Sequence, residues 1–262
     1  MNEVLAVRYG TRQTRKSEVY RDYGRYGEPD APLGMDYFFW LVRGPGRTVV
    51  VDCGFSAASG RRRGRTMLTE PADALARLGV DPAAVDVLVL THGHYDHIGN
   101  LAVFPATPVL ISRREYEFWT GPLDRPADHA QRESAETADL DLLREAHRQG
   151  RVTFVDGLTT LPGGVAVLEV GGHTPGQLVV TAETADGTVV LASDAVHYYD
   201  ELTLRRPFWL ASDIEAMTDG FERISTLAGA DGRLLVPGHD PAVMTRFPAY
   251  SPELADLAVR IT

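Results

Sequence analysis

Cysteine is nearly absent: Cys53 is the one thiol in a chain of 262 residues. A single thiol excludes an internal disulfide and any cysteine-built cage, so a bound metal must take its ligands from His, Asp and Glu. Long apolar runs are missing too. None approaches the ~20 residues a membrane span requires, so no span is expected. The start, Met1-Asn2-Glu3-Val4, has no basic region leading into an apolar stretch. No secretory leader is therefore expected, and the cytoplasm is the expected compartment. Positive charge is in deficit: 26 Lys and Arg against 36 Asp and Glu leave a net charge of −10. That balance argues against nucleic acid as a partner. The local exception is Arg61-Arg62-Arg63-Gly64-Arg65. It could meet an anionic substrate or a subunit partner, but a solvated basic loop is the plainer reading.

What is present suits a globular chain, with 44% hydrophobic and 24% charged residues. A chain of this length buries a substantial core without disulfides. No low-complexity linker divides it, so residues 1–262 are expected to form one domain, with an irregular arm at about 11–32. Short runs rich in β-branched residues, such as Thr48–Val51, Val85–Leu90, Val165–Val170 and Val189–Ala192, read as strands. Glu70–Leu78, Leu140–Gln149 and the segment opened by Ser212-Asp213-Ile214-Glu215 read as helices. Ile98–Phe104 and Ser251-Pro252-Glu253 are expected to start two more. His129 and His147 stand apart from other ligand-type residues and read as surface histidines.

The densest chemistry is Thr91-His92-Gly93-His94-Tyr95-Asp96-His97, directly after an apolar run. Three of the chain's eight histidines fall in six residues, which a polar turn with incidental histidines does not explain. Imidazole nitrogens and carboxylate oxygens are the donors that zinc prefers. His92 and His94, two apart, can point the same way on leaving a strand; the adjacent Asp96 and His97 diverge, which suits two metal positions. His173, Asp194 and His239 each follow a predicted strand, and glycines beside His173 and His239 permit turns that aim an imidazole inward. Asp52 also ends a strand, and reads equally as a turn residue or as a carboxylate orienting a metal-bound histidine.

In this order, His92-x-His94-x-Asp96-His97, His173, Asp194 and His239 resemble the metallo-β-lactamase superfamily. Met35-Asp36-Tyr37-Phe38, Val51-Asp52-Cys53-Gly54-Phe55, His173-Thr174-Pro175-Gly176 and Gly238-His239-Asp240 resemble its N-acyl homoserine lactone lactonase branch. The resemblance implies an α/β fold, an αββα sandwich with two similar halves, around two Zn2+, for which other divalent metals could substitute. One zinc would take His92, His94 and His173, the other Asp96, His97 and His239, with Asp194 bridging. It further implies opening of a lactone ring by a hydroxide bridging the metals, with Asp96 or Asp194 moving a proton. A small-molecule lactone or ester is the implied partner, and a homodimer the implied assembly.

Met35, Tyr37 and Phe39 are candidates to line the substrate pocket. His197 stands where that branch carries a substrate-contacting tyrosine; its imidazole could donate the same hydrogen bond, or Tyr198 beside it could. The alternatives on the same core are a glyoxalase II-like thioesterase or other ester hydrolase, and a diiron oxidoreductase. Only about twenty residues follow His239, short for the thioesterase branch's usual C-terminal helical segment. The redox branch usually has glutamate where His94 stands. A β-lactamase is disfavoured, because its two-zinc branches often use cysteine at the position of Asp194.

Overall fold

Alternate residues of the valine-rich runs enter two different cores, and that alternation sets the layers. A computed structural model describes residues 1–122 and 128–262, without the side chains of residues 128 and 129. The strands are β1 (Glu3–Arg15), β2 (Pro32–Gly44), β3 (Arg47–Val51), β4 (Thr66–Met67), β5 (Val87–Val89), β6 (Val109–Ser112) and β7 (Val152–Val155). They continue as β8 (Leu158–Leu161), β9 (Val165–Glu169), β10 (Leu178–Thr184), β11 (Gly187–Ser193), β12 (Leu235–Pro237) and β13 (Ala258–Arg260). One sheet of eight has the order β13-β1-β2-β3-β5-β6-β7, with β4 also paired to β1; a sheet of five has the order β12-β11-β10-β9-β8.

Phe38, Trp40, Val49, Val51, Val87 and Val89 of the first sheet share one core with Val167, Leu178, Val180 and Leu191 of the second. Their neighbours Phe39, Leu41, Val50 and Leu88 face the other way, where Leu75, Ile98 and Leu143 of the helical layer are buried. Behind the second sheet, Val179 and Val190 turn toward the helix Ile214–Ala228, which buries Met217, Phe221 and Ile224. The order is helix, sheet, sheet, helix, the expected αββα arrangement. Strands covered on both faces read as continuous apolar runs, which is why they were legible. Among the described residues, no helix is long and apolar enough to cross a membrane.

Four expectations change. The arm at 11–32 is irregular only in its middle, because β1 runs on to Arg15 and pairs with β2 from Pro32. Its tip packs on its own chain, where Arg21 donates a backbone hydrogen bond to Pro207 and Trp209 to Val19. Ser251-Pro252-Glu253 opens a single 3-10 turn, after which Ala258–Arg260 adds a strand to β1. Ile98–Phe104 holds a short helix that ends at Ile98 and a 3-10 turn from Leu101, since Gly99 and Asn100 interrupt it. Arg61–Arg65 is no solvated loop throughout: Arg63 and Arg65 are half-buried, and Arg62 and Arg63 pair with Glu136. His147 is exposed, with Tyr116 Oη 3.0 Å from its Nδ1. The surface reading of His129 falls on a side chain outside the described ones.

Candidate metal centre

Asp52, His92, His173, Asp194 and His239 all follow the carboxyl ends of strands: β3, β5, β9, β11 and β12. β11 runs parallel to β12 and antiparallel to β10, which runs antiparallel to β9, so three of these ends share one edge of the second sheet. A backbone hydrogen bond from Leu178 to Thr91 joins that edge to the first sheet. The seven expected donors meet there, all nearly buried. They form two groups, His92, His94, His173 and Asp194, and Asp96, His97 and His239, with the ligand atoms of each group within 4.8 Å of one another. Asp194 faces both. Its Oδ1 lies 3.3 Å from His97 Nε2 and 3.1 Å from His239 Nε2; its Oδ2 lies 3.7 Å from His92 Nε2 and 3.4 Å from His173 Nε2.

Each imidazole has its far nitrogen engaged. His97 Nδ1 meets Asp52 Oδ2 at 2.7 Å, His239 Nδ1 the Asp36 carbonyl at 2.8 Å, and His173 Nδ1 the Leu210 carbonyl at 3.0 Å. His94 uses Nε2, 2.7 Å from Gln131 Oε1, and His92 Nδ1 lies 3.1 Å from Thr91 Oγ1, whose own proton goes to Asp52. These acceptors hold the ring protons on the outside and fix the tautomers. The inner nitrogens are then bare lone pairs: His94 Nδ1 lies 3.0 Å from both His92 Nε2 and His173 Nε2. Lone pairs at that distance repel unless a cation sits among them. His97 Nε2 and Asp194 Oδ1 are buried without a hydrogen-bond partner. The donor set therefore fits two divalent cations.

Electrostatics agree. Burial, reinforced by the neighbouring imidazoles, holds His92 and His173 well below the ordinary histidine pKa, and burial brings His94 down to about 4. These three are neutral donors at pH 7. Burial pushes His97 the same way, but Asp194, Asp52 and Asp96 outweigh it and raise its pKa. A cation beside those carboxylates would replace that proton.

Backbone strain marks the same place. Asp52 (φ 64°) and Ser193 (φ 46°) are non-glycine residues in the left-handed region, a conformation that persists only where surroundings hold it. Ser193 Oγ lies 2.9 Å from Thr91 Oγ1 and 3.3 Å from Asp52 Oδ2, which ties the two strained turns together.

A cavity of about 380 Å³ opens over the cluster. Met35 and Tyr37 line it, with Arg12, Arg65, Asp96 and Trp209 among the other walls. Phe39 and Tyr198 do not. Phe39 is on the same face of β2 as Tyr37 but one pair deeper, 1% exposed and ring to ring with Tyr9. Tyr198 points its hydroxyl away, onto the Gly34 carbonyl at 3.0 Å. His197 is also displaced from its expected place. It is fully buried, stacks on Phe208 at 3.7 Å, and sets Nε2 3.2 Å from Asp194 Oδ2 and Nδ1 3.3 Å from Glu201. Its ring thus meets Asp194 and does not line the cavity. Burial pulls its pKa down, but Asp194 and Glu201 raise it to about 9.

Glu115 and Gln131 went unnoticed in the sequence. Glu115 is fully buried and accepts from Gly93 N, Gly176 N and Trp119 Nε1 at 2.9, 2.9 and 2.6 Å, pinning the His94 and His173 loops to one carboxylate. Gln131 also donates to the His173 carbonyl at 2.8 Å. Both lie in the long polar stretch after β6, where nothing in their spacing distinguishes them.

The metallo-beta-lactamase superfamily profile matches residues 36–239. An N-acyl homoserine lactonase of Azorhizobium caulinodans is 29% identical over 184 residues, 65% of this chain and 64% of that protein. The chain thus spans somewhat under two thirds of that relative's length. A probable metallo-hydrolase of Bacillus subtilis is 29% identical over 246 residues, 86% of this chain and 87% of its own. Among solved structures, a quorum-quenching N-acyl homoserine lactone lactonase superposes with a TM-score of 0.78 at 20% identity, covering 95% of this chain and 96% of that one. A dizinc quorum-quenching lactonase superposes at 0.73, with 20% identity, 92% of this chain and 88% of its own. At such identities these superpositions speak for the fold alone.

Proposed function

The chain belongs to the metallo-beta-lactamase superfamily, and from that premise we propose that it is a zinc-dependent hydrolase that opens a lactone ring, with an N-acyl homoserine lactone or a related lactone as substrate. One observation carries this reading: Asp194 stands between two complete donor groups with one carboxylate oxygen toward each. The named lactonases among the relatives support the ester-bond class.

In this reading His92, His94 and His173 hold one ion, Asp96, His97 and His239 the other, and Asp194 both. Two bound zinc ions would supply Lewis acidity for an ester carbonyl and a nucleophile from water near neutral pH. The chain's own contribution is orientation and proton handling. Asp52, Gln131 and the carbonyls of Asp36 and Leu210 keep the imidazoles aimed inward. Met35 and Tyr37 exclude water from one wall. Asp96 lines the cavity, and in this reading its carboxylate would take the proton that the attacking water gives up and pass it to the departing ring oxygen. His197 does not line it and acts through Asp194. A homodimer belongs to the same proposal.

Metal analysis of protein purified without added metal, a panel of lactones and thioesters, and light scattering test these points. About two zinc ions per chain, lactone turnover and twice the chain mass are expected. Iron would favour an oxidoreductase, and thioester turnover without any lactone turnover would reject the lactonase.

A further inference from the structure

Arg8 and Arg15 of β1 each meet a carboxylate, Asp36 and Asp30, and Arg62 and Arg63 meet Glu136. The two arginines that reach the cavity, Arg12 and Arg65, have no such partner among the described residues. They are also neighbours. β4 pairs with β1 through Gly10–Met67 and Thr11–Thr66, and Arg12 directly follows Thr11 as Arg65 directly precedes Thr66. Like charges brought close in this way repel unless something anionic joins them. Arg65 is held in place, its Nε donating to Tyr95 Oη at 3.0 Å and its Nη1 to the Arg63 carbonyl at 2.5 Å. Arg12 Nε is buried with no hydrogen-bond partner. Among the described residues, the one cavity-lining carboxylate outside the metal cluster is the exposed Glu18, which already accepts from Thr14 Oγ1 at 2.6 Å. A chain with ten more acidic than basic side chains thus places two guanidinium groups that form no carboxylate ion pair among the described residues over its candidate metal centre.

We propose that the substrate carries a compact anionic group, a carboxylate or phosphate, remote from the scissile ester, and that Arg12 and Arg65 clamp it together. The inference rests on the hydrolase reading above. Guanidinium groups recognise such oxyanions by charge-assisted, often paired hydrogen bonds, and a cationic mouth concentrates anionic substrate.

The test uses the zinc-loaded protein with homoserine lactones acylated by succinic, glutaric and adipic acid, their methyl esters, and a matched phosphate monoester. For the best-fitting length, kcat/KM of the anionic lactone should exceed that of its methyl ester by about tenfold or more. That ratio should fall toward one in Arg12→Gln and Arg65→Gln and recover in part in Arg65→Lys. The phosphate arm tells which oxyanion is preferred. Calorimetric binding of the ring-opened products to wild type and Arg12→Gln gives a readout independent of turnover. A wild-type ratio near one, or a preference that survives Arg12→Gln, would overturn the clamp. Hydrolysis without charge preference rejects the clamp alone; charge-selective product binding without hydrolysis rejects the hydrolase and leaves the clamp standing.

Discussion

Asp52 Oδ2 lies 2.7 Å from His97 Nδ1 while the same carboxylate accepts the backbone N–H and the hydroxyl of Thr91, each at 2.8 Å. With Ser193 Oγ at 3.3 Å from Oδ2, four donors converge on a fully buried group held at positive φ. Asp52→Asn keeps the shape but turns an NH2 toward one of those donors, so His97 loses its orienting acceptor or Thr91 loses its own. We expect zinc affinity to fall about ten- to a hundredfold, the usual cost of losing such a partner. A competitive chelator titration measures it, with circular dichroism confirming an unchanged fold.

Glu115 gathers the loops of His94 and His173. Glu115→Gln leaves one side-chain oxygen where two accept, and sets an amide N–H against a backbone N–H of Gly93 or Gly176. A buried donor left unsatisfied costs about 1–3 kcal/mol. Urea unfolding should show a loss of about 2 kcal/mol, and the weakened loops should also bind less zinc.

Gly238 precedes His239 in the turn after β12. A Cβ built there would lie 2.6 Å from Asp194 Oδ1 and 2.8 Å from the backbone of Ser193. Backbone gives way less readily than a side-chain end, so Gly238→Ala should push Asp194 out of its place between the two donor groups. Purified variant protein is expected to hold less than half the wild-type metal. Full occupancy would show that the carboxylate tolerates the shift.

His92, His173, Asp194 and His239 were legible because each follows a strand whose apolar run is visible, and His94, Asp96 and His97 because they crowd within five residues of His92. The supports were not. Gln131 acts on His94, 37 positions away, and Glu115 on the backbone N–H of Gly176, 61 positions away, and no local pattern records such contacts. Asp52 was readable either as a turn former or as an orienting group; its left-handed backbone and its bond to His97 make it both. Arg65 looked solvated because its neighbour Arg12 is brought to it by pairing between β1 and β4, fifty-odd residues apart in sequence. The C-terminal strand was hidden for a related reason: three residues, Ala258–Arg260, carry too little pattern, and the edge of β1 supplies the rest.

Asp139 gives a pH signature away from the cluster. Burial, reinforced by Glu136, pushes its carboxyl up to about 7, and its Oδ2 has no hydrogen-bond partner. An unfolded aspartate titrates near 3.9. Between those values the folded protein holds a proton that the unfolded chain releases, so stability falls as pH rises from about 4 to about 7. Over two pH units, and after allowance for solvent screening, this amounts to about 1 kcal/mol. Asp139→Asn should flatten the decline between pH 5 and pH 7 by that amount relative to wild type in parallel denaturant titrations. Equal slopes would place the proton elsewhere.

His197 and Glu201 form a buried pair behind Asp194, both fully inaccessible, with Phe208 stacked on the imidazole. Burial raises the Glu201 pKa, and the neighbouring His197 offsets part of that rise. Removing one member of a buried pair strands the other, at a cost of about 3–5 kcal/mol. Glu201→Ala should therefore lower the melting temperature by several degrees, whereas Glu201→Gln, which still offers an oxygen to His197, should recover much of it. Stability alone does not separate a positioning role from a packing role. Catalysis does: an Asp194 no longer steadied from behind should lower kcat for a lactone in Glu201→Ala with little change in KM, because the cavity walls at Met35 and Tyr37 are untouched. A loss confined to stability, with kcat at the wild-type value, would make the pair a packing element rather than the support of the shared carboxylate.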